Sequence, residues 1–308
     1  MQEKPTDLEL RATQEHFGFQ LLEPVEKDWH VVQAMRAILA LDATPFRLVF
    51  AGGTCLARAH RLVDRMSEDV DFKVVPAAAP TSKNQLRQAL GHLRDNIALA
   101  LETAGFAFAA PTRSRDANQY TVFHLRTDSG GGEAGPLRPT IQIELSLATL
   151  REPTTLHPVA SFVSQAYERS PELLQVECVS VTETAAEKAV SLTRRTAMEI
   201  AGVSRALDPT LVRHIYDLHM LRDQVDPARV AALMREIALQ DAEAFGRQHL
   251  VYRDDIAGET QKAIEHLSTN PIVRERYARF VAAMVYGRTA PFEEAIKTTR
   301  ALVGKAWP

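Results

Sequence analysis

The apolar positions of this chain recur with two different periods, and the change of period along the sequence predicts most of its elements. Over residues 26–41, Trp29, Val31, Val32, Met35, Ile38 and Leu39 fall largely at helical spacing, which predicts a helix with one face on a core. Residues 42–45 read as the turn that ends it. Residues 46–50, FRLVF, form a short branched and aromatic run that suits a buried strand better than a helix. Ala51, Gly52, Gly53 and Thr54 follow as a turn, residues 55–65 return to helical periodicity, and residues 69–75, DVDFKVV, alternate as a strand does. The order so far is strand, glycine turn, helix, strand.

Residues 83–104 carry a long helical pattern, after which YTVFHLR (120–126) and TIQIELSL (140–147) read as the two strands of one hairpin. The segment SGGGEAGP between them reads as a surface loop. From Thr184 onward the strand signals stop. A capping box of Thr184 and Glu187 opens a helix, and helical patterns fill most of the rest through Lys305. The pattern therefore puts a domain boundary between about residues 155 and 182, and no internal repeat is visible.

Composition narrows the class without choosing the chemistry. With 308 residues, 45% of them hydrophobic and 24% charged, the chain can build one large or two ordinary cores and is neither disordered nor fibrous. A formal net charge of -3 excludes a wholesale electrostatic grip on nucleic acid, although it leaves room for a local basic face. Cys55 and Cys178 form no CxxC pair, so they read as buried thiols in a reducing compartment and argue against a structural zinc site. The charged N-terminus lacks an apolar segment, and no stretch approaches the ~20 apolar residues that span a bilayer. The expectation is a soluble, cytoplasmic protein with no membrane partner.

Two short motifs carry candidate chemistry. Gly52 and Gly53 sit where a strand hands over to a helix, where missing side chains would let phosphate reach backbone amides and Thr54 could add a hydroxyl; the plain alternative is a tight turn. Asp69 and Asp71 are two apart on a strand, so they share a face and repel unless a divalent cation lies between them. The plain alternative there is an acidic strand facing water. His60, His124 and His219 show no ligand spacing and read as structural.

Taken together, GGT, the helix after it and SEDVDF resemble the nucleotidyltransferase superfamily. GGTCLARAH followed by RMSEDVDFKV is similar to its AbiEii/AbiGii toxin branch, the MenT-like enzymes of type IV toxin–antitoxin systems. Two later elements match that branch as well: Glu187-Lys188-Ala189-Val190-Ser191-Leu192 with Arg195 after it, and Arg213-His214-Ile215-Tyr216-Asp217-Leu218. The resemblance spans roughly residues 46–220. It implies an α/β (α+β) fold, with a nucleotidyltransferase-like mixed, twisted sheet domain over residues 1–170 and an all-helical domain over 171–308 that closes the nucleotide site.

It also implies a magnesium-dependent transfer of a nucleoside monophosphate from a nucleoside triphosphate to an acceptor hydroxyl. The acceptor expected first is the 3′ end of tRNA, which would block translation and growth, and a cognate antitoxin is the expected protein partner. Carried over by position, Gly52, Gly53, Thr54 and Ser67 contact triphosphate, Asp69 and Asp71 ligate metal, Lys188 and Arg195 neutralise phosphate, and Asp217 orients Lys188 or receives a proton. Glu144, on the polar side of TIQIEL, is the candidate third acid for the metal or a general base. His214 stands where the branch usually has Asp, which leaves no second acid in that element. The rival readings are transfer to a protein or small molecule, and a catalytically silent nucleotide- or partner-binding module.

Overall fold

The structure is a computed structural model that describes residues 3–78, 82–127, 137–203, 210–245 and 249–307. The loop SGGGEAGP lies outside the described residues. The chain divides into two compact units, Met1–Arg61 with Arg65–Val179, and Leu62–Asp64 with Ser180–Pro308.

The first unit runs α1 (Asp7–Phe17), α2 (Glu23–Leu39), β1 (Phe46–Ala51), α3 (Gly52–Arg58), β2 (Asp69–Pro76), α4 (Lys83–Thr103), β3 (Arg113–Arg115), β4 (Tyr120–Arg126), β5 (Thr140–Leu147), β6 (Thr155–Val159), α5 (Phe162–Ala166) and β7 (Leu173–Cys178). Its helices start where the chain supplies acceptors for orphan N–H groups. Thr6 and Glu9 make a capping box for α1, and the Ser82 side chain accepts from the Gln85 N–H to open α4. Gly18, in the left-handed region at φ 69°, ends α1.

The strands form one mixed sheet in the order β3-β4-β5-β2-β1-β7-β6, with β2 parallel to β5 and β1 parallel to β7. The hairpin read from the sequence is present, with β4 and β5 antiparallel from Tyr120 opposite Ser146 to Arg126 opposite Thr140. One face of the sheet carries most of the apolar core of this unit. Phe50, Val70, Phe72, Val74, Phe123, Ile141 and Ile143 share a core there with Val32, Met35 and Ile38 of α2 and Leu93, Ile97 and Leu101 of α4. The opposite face carries the polar residues of β2 and β5, which the period-2 alternation of both strands dictates.

Three local readings change. The helix expected over 55–65 stops at Arg58, and Arg61 beyond it has φ 55°, a left-handed conformation that a continuing helix does not allow. Gly52 and Gly53 belong to the first turn of α3 rather than to a turn before it. Strands β6 and β7 do not stand out in the pattern because Pro158 interrupts one and the other buries only Val176 and Cys178 along its length.

In the second unit follow α6 (Val181–Ile200), α7 (Arg213–Leu221), α8 (Pro227–Phe245), α9 (Leu250–Asp254), α10 (Ile256–Thr269), α11 (Pro271–Met284) and α12 (Phe292–Ala306). Helix α6 packs against α7, α8 and α10, and α12 against α7 and α8. The helix α6 starts one turn before the expected capping box, because Ser180 caps it by accepting from the Glu183 N–H at 3.0 Å. Thr184 and Glu183 are buried instead. The short piece Leu62–Asp64 is held within this unit: Asp64 accepts from the Arg288 guanidinium at 2.7 Å and its N–H donates to the Tyr216 hydroxyl.

Candidate active site

The acid pair is built by β2 and its neighbours. Asp69 and Asp71 stand on the polar face of β2, and the parallel register sets Gln142 beside Asp69 and Glu144 beside Asp71. All three carboxylates predicted from the sequence therefore face the same side of adjacent strands. Each is half-buried, which raises the cost of their mutual repulsion above its value in open water. Part of that cost is offset locally. Arg138, entering β5, donates to Asp69 Oδ1 at 2.9 Å and to Gln142 at 3.3 Å. Its own N–H donates to Glu68 at 2.6 Å, and the same Glu68 pairs with the buried ammonium of Lys27.

Glu144 is held by two donors. The Tyr120 hydroxyl donates to Oε2 at 2.8 Å and the Gln142 amide donates to Oε1. Together these donors fix the orientation of the carboxylate. Burial, together with that bond to Glu144, pushes the Tyr120 phenol far above its ordinary range, so it stays a proton donor throughout.

The glycines explain how Asp71 reaches its place. Gly52 has φ 74°, and a Cβ there would fall 1.9 Å from Asp71 Oδ2, so the carboxylate occupies the volume that any side chain at 52 would need. At Gly53 a Cβ would come 2.3 Å from Arg65 Nη2 and 3.3 Å from Ser67 Oγ. Arg65 is almost fully buried and donates to the Met66 carbonyl at 2.9 Å. It sets a second guanidinium beside the glycine pair, which motif reading missed. Thr54 donates its hydroxyl to the Asp69 carbonyl and lies 2.8 Å from Ser67 Oγ, which fastens α3 to the start of β2. Within the first unit Gly52 thus lies against Asp71, Gly53 against Arg65 and Ser67, and Thr54 against Ser67, while Asp69, Asp71 and Glu144 share one face of adjacent strands, with Arg138 at Asp69.

The second unit joins two more predicted residues. Lys188 on α6 and Asp217 on α7 form an ion pair at 2.7 Å, with side-chain exposures of 7% and 0%. Such depth makes the pair costly to separate. Arg195 lies further along α6, half-buried, and His214, the departure in the last motif, is buried on α7. Two of the three histidines read as structural have hydrogen-bond partners: His60 Nε2 lies 3.0 Å from the Val179 carbonyl, and His219 Nδ1 lies 3.0 Å from Thr298 Oγ1. Burial holds both rings below the ordinary imidazole pKa. A cavity of about 410 Å³, lined by Gln33, Arg36, Ala104 and Leu173 among others, contains none of the candidate residues. No described helix is long and apolar enough to cross a membrane.

What this arrangement can do is limited by its donors. Hard carboxylate oxygens on one sheet face suit a divalent cation of the magnesium type, and the adjoining glycine pair leaves backbone accessible to a polyphosphate. A family model described as nucleotidyl transferase AbiEii toxin, type IV toxin–antitoxin system, matches residues 33–298. Among solved structures, MenT4, a nucleotidyltransferase toxin from Mycobacterium tuberculosis H37Rv, is similar in fold at 18% sequence identity, with a TM-score of 0.52 over 95% of this chain and 97% of that one. No curated protein matches.

Proposed function

This chain belongs to the AbiEii family of nucleotidyltransferase toxins of type IV toxin–antitoxin systems, and on that premise we propose that it transfers a nucleoside monophosphate from a nucleoside triphosphate to the 3′ end of tRNA. Growth arrest follows from tRNA that can no longer be charged, and a cognate antitoxin restrains the enzyme. The observation that carries this reading is the set of Asp69, Asp71 and Glu144 on one face of β2 and β5, with Asp71 seated over Gly52. A binding module has no need to hold three repelling acids together.

Asp69 and Asp71 would hold magnesium, with Glu144 as the third acid. When bound, the metal neutralises charge that develops at the reacting phosphate and on departing pyrophosphate. The protein's own groups do the rest. The backbone at Gly52 and Gly53 accepts the triphosphate, with the Ser67 hydroxyl beside it and the Arg65 guanidinium as a fixed cation. Glu144, oriented by hydrogen bonds from Tyr120 and Gln142, would take the proton of the attacking hydroxyl if it is not occupied as a ligand. Lys188 and Arg195 supply phosphate-neutralising cations, and Asp217 fixes the direction of the Lys188 ammonium.

The deciding experiment incubates the protein with each labelled nucleoside triphosphate, magnesium, total RNA and total protein, and separates the products. Label in RNA of tRNA size, sensitive to 3′-end nuclease, is the expected result. Label in protein or in a small molecule assigns a different acceptor to the same site, and no label in any fraction with any nucleotide overturns the transfer reading.

A further inference from the structure

Cys55 in α3 and Cys178 at the end of β7 are both buried, and neither is in a disulfide. His60, just beyond α3, is half-buried. One donor atom from each of the three lies within 4.8 Å of the other two. Sheet register explains why residues so distant in sequence meet. Phe50 of β1 pairs directly with Cys178, so the two side chains share the apolar face to which Cys55 also belongs. His157 pairs with Val176, two residues before Cys178, and so points to the same face; its ring centroid is 4.5 Å from that of His60.

Two buried thiols alone would count as small apolar side chains. An imidazole with a ring nitrogen within 4.8 Å of both sulfurs is different, since it brings a polar group to the edge of that core. The His60 Nε2 contact to the Val179 carbonyl, at 3.0 Å, makes Nε2 the protonated nitrogen and leaves a lone pair on Nδ1. A ring nitrogen donating to a backbone carbonyl is the outer support that metal-bound histidines carry.

We propose that Cys55, Cys178 and His60 form a binding site for one divalent cation of the zinc class, which ties α3 to β7. Sulfur and imidazole donors select this class over magnesium, so the site is chemically separate from the carboxylate face. Tetrahedral zinc with metal–sulfur bonds of about 2.3 Å and metal–nitrogen bonds of about 2.0 Å sets its ligand atoms about 3.5–3.8 Å apart. The present spacing closes to that by a movement of about 1 Å. Each thiol gives up its proton to solvent as the ion binds, nothing is oxidised or reduced, and water would complete the coordination.

The test titrates the reduced full chain with cobalt(II). Thiolate-to-cobalt absorption that saturates near one equivalent, is displaced by zinc and is indifferent to magnesium is the expected result. Cys55→Ser, Cys178→Ser and His60→Ala should each weaken binding about 10-fold or more while keeping wild-type circular dichroism. Because a core substitution can disturb folding, the wild-type protein supplies a second reading: zinc, but not magnesium, should slow alkylation of both thiols under native conditions. Absence of the absorption, equal affinity in Cys178→Ser, or alkylation unaffected by zinc would overturn the site. So would a Cys55–Cys178 disulfide in reductant-free protein combined with no cobalt binding after reduction, which would assign the pair to redox chemistry.

Discussion

Two clusters of charge, one in each unit of this protein, are built in opposite ways. In the first, Asp69, Asp71 and Glu144 gather like charge on a half-buried sheet face, partly balanced by Arg138. In the second, Lys188 and Asp217 meet as opposite charges with almost no exposure. The first arrangement concentrates like charge where we propose that a cation binds. The second is neutral overall and stable as it stands. Proximity of charged residues therefore does not by itself identify a site: the sign of the imbalance does.

The sharpest way to break this contrast is to remove one acid from each. Asp71→Ala should lower transfer by about 10³-fold or more, because metal stabilisation of the transition state is worth several kcal/mol. Its thermal midpoint should be unchanged or higher, since a repulsion is gone. A wild-type rate in the purified variant would remove Asp71 from the site.

In the helical unit the same kind of change should act on folding first. Lys188→Ala removes the ammonium that lies 2.7 Å from the fully buried Asp217 carboxylate, with an expected loss of about 3–5 kcal/mol by chemical denaturation. Inactivity of that variant alone would prove little. The double change Lys188→Met with Asp217→Leu removes both charges and should restore most of the stability. If Lys188 serves the phosphates, the double variant stays slow by about 10²-fold. Recovery of transfer along with stability would make the pair structural only.

A buried pair in the first unit sharpens the point. Asp28 and Arg58 meet at 2.7 Å, Asp28 also accepts from the Phe162 N–H at 2.6 Å, and Arg58 covers the Phe162 ring. Burial outweighs the guanidinium and holds the Asp28 pKa at about 6, above its ordinary 3.8. A folded pKa raised above the unfolded one means that this contribution is fully present below pH 3.8 and is lost as pH rises through about 6. The loss is on the order of 2–3 kcal/mol. Denaturation midpoints across that window should fall for wild type and stay flatter for Asp28→Asn; equal slopes would refute the raised value.

The smallest expected effect is at Gly53. Valine there must displace the Arg65 guanidinium, which lies 2.3 Å from the added Cβ. Triphosphate binding by calorimetry should weaken by about 10-fold, near 1.4 kcal/mol. Unchanged affinity would leave the glycine as a packing requirement.

Much of the acid site was legible because it is local. Two aspartates at a spacing of two on a strand must share a face, and the alternation of TIQIEL fixes the side on which Glu144 stands. Lys188 and Asp217 came from family motifs, and their direct pairing was visible only in the structure. Arg65 and Arg138 escaped because an isolated arginine carries no spacing signal; one depends on the short α3 and the other on the approach to β5. The cap of α6 was misplaced for a different reason. Ser180 and Glu183 form the same pattern one turn earlier than Thr184 and Glu187, and the sequence holds nothing local to choose between them. The meeting of Cys55, His60 and Cys178 depends on strand order, which no local pattern encodes.

The fit of Asp71 over Gly52 also bears on mutational tolerance. Every single-base missense change in a glycine codon installs a residue with a Cβ, and at position 52 that atom would stand 1.9 Å from the carboxylate while the backbone is held at φ 74°. No substitution there is mild. Cells selected to survive expression of this toxin should accordingly accumulate lesions at codon 52 as readily as at codon 71, although residue 52 itself offers no side chain to the chemistry.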